Sequence, residues 1–291
     1  MRFLALLKLT TKNKTETHTI KYFLPQALGS VFLFIGFFLS VFYRFTYFCW
    51  LASLFLKLGL FPFFSWFISL SKRISFLGLW IISVPQKITP FWLILTINNN
   101  FIPRFKLFQL SIFGGVFVSI CRVLQTRRLG LILGYSSLIN RSWFLLIIRE
   151  NEKFLFIFFL YGIALFWVTR FLRTLKASTS RNSIKQESFS WGRVFTLILL
   201  FLNLGGLPPF INIWGKGLIL YSLFLQGAFL WFMCFCLSSV VFMYAYLRTC
   251  LGLRVLSAPR NHLLRENNTS KNLFIVILFA RAILFFSYLS N

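Results

Sequence analysis

Acidic residues are almost missing from this chain: its 291 residues include five acidic side chains, all Glu, against 31 Lys and Arg. Histidine is as scarce, with only His18 and His262. The absences exclude chemistries. Without a carboxylate pair there is no glycosidase-type acid–base site. Two imidazoles and five scattered cysteines (Cys49, Cys121, Cys234, Cys236 and Cys250) do not make a His/Cys/carboxylate metal centre. Cys234 and Cys236 are too close for an ordinary disulfide, and the cysteines read as small buried apolar residues. There is no Gly-rich phosphate loop and no Ser–His–Asp set. No metal and no cofactor site is expected, and no covalent or redox step on this chain. Charged residues make up 12%, about half of the ~25% of a soluble domain. A soluble globule is therefore excluded, and a 58% hydrophobic content excludes a disordered chain.

What is present is apolar: 41 Phe and a mean hydropathy of +0.79. The net charge of +26 could suit nucleic acid, but the apolar runs between the charges are about 20 residues long, the length of a bilayer-spanning helix. The fold class is an all-α membrane protein. Nine crossings are expected, at 22–43, 45–70, 74–98, 106–121, 129–148, 154–172, 194–225, 227–247 and 273–289. The segment 194–225 is too long for one straight helix, and Gly205, Gly206, Pro208 and Pro209 should break it. Gly59 and Pro62 punctuate 45–70 in the same way, and Pro85 and Pro90 lie in 74–98. The start, residues 1–21, is basic and Lys/Thr-rich with no cleavage site, so neither a signal peptide nor a presequence is read there. That suits a protein inserted from within an organelle or a bacterium.

Basic residues test the topology. Threaded back and forth, the chain places 21 on the side of the N-terminus and five (Arg44, Arg104, Lys106, Arg149, Lys153) on the other. This asymmetry is the positive-inside pattern, and it puts the N-terminus on the matrix or cytoplasmic side. The basic loops can also meet anionic lipid. Five cations remain inside helices: Lys57, Lys87, Arg141, Lys216 and Arg281. Arg281 and Arg141 have a bland reading as snorkelling side chains. Lys57, Lys87 and Lys216 lie deep and beside helix breaks, where a charge needs a protein or hydrated interior. Desolvation weakens the hold of an amine on its proton, so a buried Lys suits proton transfer, whereas Arg stays protonated. Three intramembrane lysines read as stations of a proton path. Ser83, Thr89, Tyr135, Ser136, Ser137, Asn140 and Asn203 are candidates to hold connecting waters.

Five strings then carry a resemblance. Lys-Tyr-Phe-Leu-Pro-Gln-Ala at 21–27, Lys-Leu-Gly-Leu-Phe-Pro-Phe at 57–63, Gln-Lys-Ile-Thr-Pro at 86–90, Gly-Tyr-Ser-Ser-Leu-Ile at 134–139 and Leu-Gly-Gly-Leu-Pro-Pro-Phe at 204–210 resemble, in order, motifs of subunit 2 of NADH dehydrogenase. This is an antiporter-like membrane subunit of respiratory complex I. The resemblance covers roughly residues 15–250. It implies two inverted repeats, each with a broken helix, the first repeat incomplete. The segments are then 1–21 (matrix-side), 22–98 (the remainder of the first repeat), 106–247 (the second repeat), 248–272 (a basic matrix loop) and 273–291 (a last transmembrane helix). It implies that Lys57, Lys87 and Lys216 translocate protons, with Tyr135, Ser136, Ser137, Asn140 and Arg141 as a polar relay. NADH, FMN, iron–sulfur clusters and ubiquinone are expected on other subunits, with the chain in the mitochondrial inner membrane and its C-terminus on the intermembrane-space side.

The chain departs from the pattern. Phe64 and Ser69 stand where the family often has His and Glu, Asn140 replaces a His and is followed by Arg141, and the basic residue before Tyr135 is missing. The family pairs the lysine matching Lys57 with a Glu on an earlier helix. Here the nearest acid, Glu16, reads as part of a polar loop, and Glu150, Glu152, Glu187 and Glu266 also fall in loops. Either the pair is lost, or the N-terminal helices are a separate short helical chain carrying that Glu; the second, a partner chain, is the expectation. The alternatives are an eroded antiporter fold that holds neighbouring subunits without pumping, and a subunit of a cation/proton antiporter.

Overall fold

Glycine, proline and the cations decide where the helices stop. The computed structural model describes residues 16–38, 43–96, 106–126, 128–148, 151–181, 191–206, 210 and 212–257. Residues 1–15 of the expected segment 1–21, residues 258–272 of the expected loop 248–272, and the crossing 273–289 with Arg281, as well as Pro208 and Pro209, lie outside them. All regular structure among the described residues is helical: α1 (Glu16–Phe38), α2 (Tyr43–Leu58), α3 (Ser65–Ser71), α4 (Phe76–Ser83), α5 (Pro85–Thr96), α6 (Lys106–Gln125), α7 (Leu129–Ile147), α8 (Asn151–Arg181), α9 (Trp191–Gly205), α10 (Asn212–Leu225) and α11 (Phe229–Ser257). Among the described residues, four stretches are long and apolar enough to cross a membrane: Ile20–Phe38, Phe76–Leu95, Phe154–Leu175 and Phe229–Leu251. Phe48–Leu58, Gln109–Gln125 and Phe195–Gly205 are shorter apolar helices.

Several boundaries move from those the sequence suggests. Segment 45–70 is two helices, α2 and α3, parted at Gly59–Phe64, and 194–225 is α9 and α10, as the Gly/Pro punctuation requires. Segment 74–98 is also interrupted, at Val84. Pro85, with no N–H to donate, opens α5 at the position where a helix tolerates it. Pro25 and Pro90 sit inside continuing helices. Glu16 is not in a loop but is the first residue of α1, a place where an acid suits the positive end of a helix. α8 has 31 residues, about 46 Å at 1.5 Å per residue, so it outruns the ~30 Å hydrocarbon layer. Arg173, Lys176 and Arg181 therefore lie on helix instead of in a loop. The same holds for Arg248 and Arg254, because α11 runs to Ser257.

The chain forms two compact units, residues 1–151 and 152–291. In the first, α1 packs along α2 and against α3, and α2 meets α5. α7 is the enclosed helix, with every residue from Ile132 to Ile139 buried between α3, α4 and α6. Its glycines allow that approach: a Cβ on Gly130 would lie 2.6 Å from the Ser71 carbonyl oxygen. Trp66, Phe67, Leu70 and Ile82 make a buried cluster, with Tyr22, Ile68 and Ile74 against it. The opposite face of α1 exposes Phe23, Phe34, Phe37 and Phe38. Each such ring left in water forfeits roughly 1.5–3 kcal/mol, so the row belongs to lipid or to another chain. In the second unit α9 packs on α11, where the Phe201 and Tyr246 rings stack 5.0 Å apart. Gly215 lets α10 approach Ile157 of α8, whose Cγ2 a Cβ would meet at 3.2 Å.

Candidate functional site

A helix that stops inside apolar surroundings leaves its last carbonyls without intrahelical donors, and each needs a partner. α2 stops because Gly59 turns left-handed, at φ +65°, a conformation that costs glycine nothing. The Leu60 N–H then folds back to the Phe55 carbonyl at 3.0 Å, the six-to-one bond of a Schellman ending. This leaves the Lys57 and Leu58 carbonyls to be satisfied from elsewhere. Lys87, in the first turn of α5, donates from Nζ to the Lys57 oxygen, which also accepts from Gln26 Nε2 at 3.4 Å. Arg141 of α7 donates from Nη1 to the Leu58 oxygen at 2.8 Å. Its Nη2 makes a longer contact, 3.5 Å, to Ser137 Oγ. Two cations from two helices thus cap adjacent carbonyls at the negative end of one broken helix.

Aromatic faces complete their surroundings. Lys87 Nζ lies 5.0 Å from the Trp66 ring centroid, and the Arg141 guanidinium carbon lies 3.8 Å from that of Phe67. Trp66 and Phe67 follow the break directly, so the segment that frees the carbonyls also carries the rings that receive the cations. Lys87 is 0% and Arg141 2% exposed. Arg141 is therefore no snorkelling side chain. Lys57 is half-buried, and its stem runs past Gly29, where a Cβ would come within 2.8 Å of Lys57 Cγ. Glu16 precedes Gly29 by thirteen positions on α1, about 20 Å along the axis.

The second unit repeats the arrangement with fewer parts. α9 ends at Gly205, and Gly206 turns left-handed at φ +72°. The Gly206 N–H donates to the Asn203 carbonyl at 3.0 Å. Lys216, one turn into α10, reaches back and donates from Nζ to the Gly205 oxygen at 2.6 Å. A Cβ on Gly206 would stand 2.7 Å from Lys216 Cδ, so the lysine stem needs glycine there as much as the backbone does. The Asn212 N–H points at Asn203 Oδ1 at 3.5 Å, and both residues are buried.

The polar side chains expected nearby are distributed unevenly. Ser136 and Ser137 are buried, and each hydroxyl donates back to its own helix, to the Leu133 and Gly134 carbonyls at 2.9 and 2.8 Å. Ser83 does the same, to the Leu79 carbonyl at 2.7 Å. Tyr135 is buried, Asn140 half-buried, and Thr89 faces outward. Of the cysteines, Cys49 and Cys250 are buried, Cys234 and Cys236 are half-buried, but Cys121 is exposed, against expectation, because it lines an open groove. The contributions of Gln26, Gly29, Trp66 and Phe67 were not visible in advance. The adjacency of Trp66–Phe67 to the punctuated Gly59–Pro62 was the one signal that pointed to them.

No family model matches the chain. Among curated proteins, NADH-ubiquinone oxidoreductase chain 2 of Anopheles gambiae is 27% identical over 301 residues, spanning 96% of this chain and 83% of that protein. The protein of the same name from Vulpes vulpes is 28% identical over 244 residues, 77% of this chain and 68% of its own length. Among solved structures, a chain of respiratory complex I from Thermus thermophilus with bound aureothin superposes with a TM-score of 0.71 at 19% identity, covering 97% of this chain and 70% of that one. In sequence over nearly its whole length the chain is similar to NADH-ubiquinone oxidoreductase chain 2, and in fold to a chain of respiratory complex I.

Proposed function

We propose that the chain is a membrane-arm subunit of respiratory complex I that translocates protons across the mitochondrial inner membrane, driven by NADH:ubiquinone electron transfer on other subunits. The observation that carries the reading is the pair of broken helices, each with a lysine ammonium on the last carbonyls before the break: Lys87 on Lys57 O, Lys216 on Gly205 O. A protonated amine donates three hydrogens and bears the charge that the helix end attracts; a neutral amine has neither the charge nor the third donor. Loading and unloading Lys87 or Lys216 thus changes how firmly a half-helix end is held. A proton step becomes a mechanical one, with Lys57, on the broken helix itself, as the third station. Tyr135, Ser136, Ser137, Asn140 and Arg141 supply the polar relay.

The finer features belong to the same reading: nine crossings, eight of them in two inverted repeats, 22–98 and 106–247, and the ninth at 273–289, with an N-terminus on the matrix side and a C-terminus on the intermembrane-space side. FMN, iron–sulfur clusters and ubiquinone are assigned to other subunits, and a short helical partner chain supplies a Glu to Lys57. The test replaces Lys87 or Lys216 by Ala in the assembled complex. Proton pumping and coupled quinone reduction should fall about tenfold or more, the scale of a lost proton-transfer group. NADH oxidation by an artificial acceptor should be unchanged. Variants that pump normally would favour the second reading, a structural subunit of the same complex. One observation leans that way: Arg141, a cation that cannot give up its proton, occupies the centre of the first site.

A further inference from the structure

A groove of about 660 Å³ opens on the first unit between α1, α3, α6 and α7. Its volume is within the ~300–1,000 Å³ of ligand pockets. Four of its lining residues are cations, Lys21, Lys72, Arg73 and Arg122, and none is acidic. All four are exposed. Lys72, Arg73 and Arg122 gather at one end. Lys72 and Arg73 follow the last residue of α3, and Arg122 is in the final turn of α6. The close approach of Gly130 and Gly134 to Ser71 brings the end of α3 to the start of α7, which α6 reaches within four residues. Lys21 is in the second turn of α1, next to Tyr22, whose ring meets Trp66 of α3 at 6.1 Å.

The rest of the wall is apolar and lies deeper. Phe117 and Val118 precede Arg122 by one turn or a little more, about 6–7.5 Å along α6. Ile68 precedes Lys72 by one turn, and Phe64 by two. Phe117 is 62% exposed. The hydroxyl of Ser69, on the same wall, donates to its own Trp66 carbonyl at 2.8 Å and needs no ligand. A ligand that fits must be anionic at one end and hydrocarbon along the rest. An acidic peptide would bring backbone amides against the apolar wall, where their desolvation is unfavourable.

We propose that this groove is a binding site for one anionic phospholipid, its phosphate between Lys72, Arg73, Arg122 and Lys21 and an acyl chain along Phe64, Ile68, Phe117 and Val118. The site acts on the same α3 that presents Trp66 and Phe67, so an occupied groove stabilises the segment after the first break.

The test places the chain, in the membrane assembly it purifies with, in phosphatidylcholine nanodiscs that contain a trace of phosphatidylglycerol with a photoreactive acyl chain. Labelling is expected on the peptides around Phe117–Cys121 and Leu131–Tyr135. Unlabelled phosphatidylglycerol should compete, and phosphatidylcholine should not. Millimolar inorganic phosphate should not compete either; if it does, the site holds a free anion and the proposal fails. Replacing Lys72 and Arg73 together by Gln should lower labelling by about fivefold for each charge removed, the worth of a basic residue at an anionic membrane surface, while Lys72→Arg retains it. Equal labelling by a photoreactive phosphatidylcholine would overturn the proposal. So would crosslinking of Cys121 to a neighbouring protein chain that fills the groove. The competition on the unaltered protein decides the matter even where the Gln variants fail to assemble.

Discussion

Arg141 shows how one side chain can serve a backbone 83 residues away. Its guanidinium satisfies the Leu58 carbonyl and sits over Phe67, 3.8 Å from the ring centroid, a combination that a planar fork provides and an ammonium does not. Arg141→Lys keeps the charge but cannot meet Leu58 O, Ser137 Oγ and the ring together. It should destabilise the assembled protein by about 1–3 kcal/mol, the cost of a charge-assisted bond to a buried carbonyl. Arg141→Ala should cost more, because it also opens a cavity. The midpoint of thermal dissociation on native gels checks both, and an unchanged midpoint for Arg141→Ala would sink the account. Lys57, Lys87 and Lys216 stood out in the sequence because a cation in an apolar run is conspicuous. Their acceptors did not: every residue has a carbonyl, and which ones go unpaired is decided only when the break takes its shape. The same blindness covered Arg141, for which a snorkelling conformation was as consistent with the sequence as a buried one.

The two breaks were legible at the level of whole elements, since Gly59–Pro62 and Gly205–Pro209 interrupt runs that are otherwise continuously apolar. The ends of α8 and α11 were not, because hydropathy reports where hydrocarbon ends, and a helix with Arg, Lys and Ala in its last turns continues into water. Glycine allows a sharp contrast between positions on or beside one element. Gly206→Ala should be strained by its left-handed backbone, about 1–2 kcal/mol. Its Cβ would also push on the Lys216 stem, 2.7 Å away at Cδ. Both stability and proton-coupled activity should fall. Gly217→Ala, inside α10 with nothing within 4 Å of the new Cβ, should be neutral or gain up to about 1 kcal/mol of helix propensity. Thermal midpoints and pumping rates of the two variants, measured side by side, check this. Equal effects would mean that the Lys216 contact with Gly205 has no functional weight.

For the molecule as a whole, the charge is lopsided and the surface greasy. A net charge of +26 repels itself, and the rows of exposed Phe on α1, α6 and α8 have no place in water. Such a chain should purify only inside a larger membrane complex with NADH-oxidising activity, in company that brings negative charge and apolar cover. Recovery as a free homo-oligomer, by native mass spectrometry of detergent extracts, would contradict the respiratory reading. Composition alone made the membrane class plain, and the five ordered strings made the likeness plain, because four of them fall at a break or on an enclosed helix where few sequences fit. The groove with four cations stayed hidden, since Lys72, Arg73 and Arg122 come together only through the close approach of α3 to α7, and Lys21 joins its lining only through the packing of α1 on α3.

Lys87 is held by a main-chain oxygen, and that has a consequence for genetics. An acceptor that belongs to the peptide bond at position 57 survives every substitution there, so the hold on Lys87 cannot be erased by changing Lys57 to another amino acid. Codon-by-codon scanning of position 57 will report on the Lys57 side chain alone and stay silent about its carbonyl. Only changes that reshape the chain path, at Gly59 or around it, can take the acceptor away. In a gene that drifts quickly, half of this contact is therefore beyond the reach of drift, and the lysine is the half that inheritance must guard.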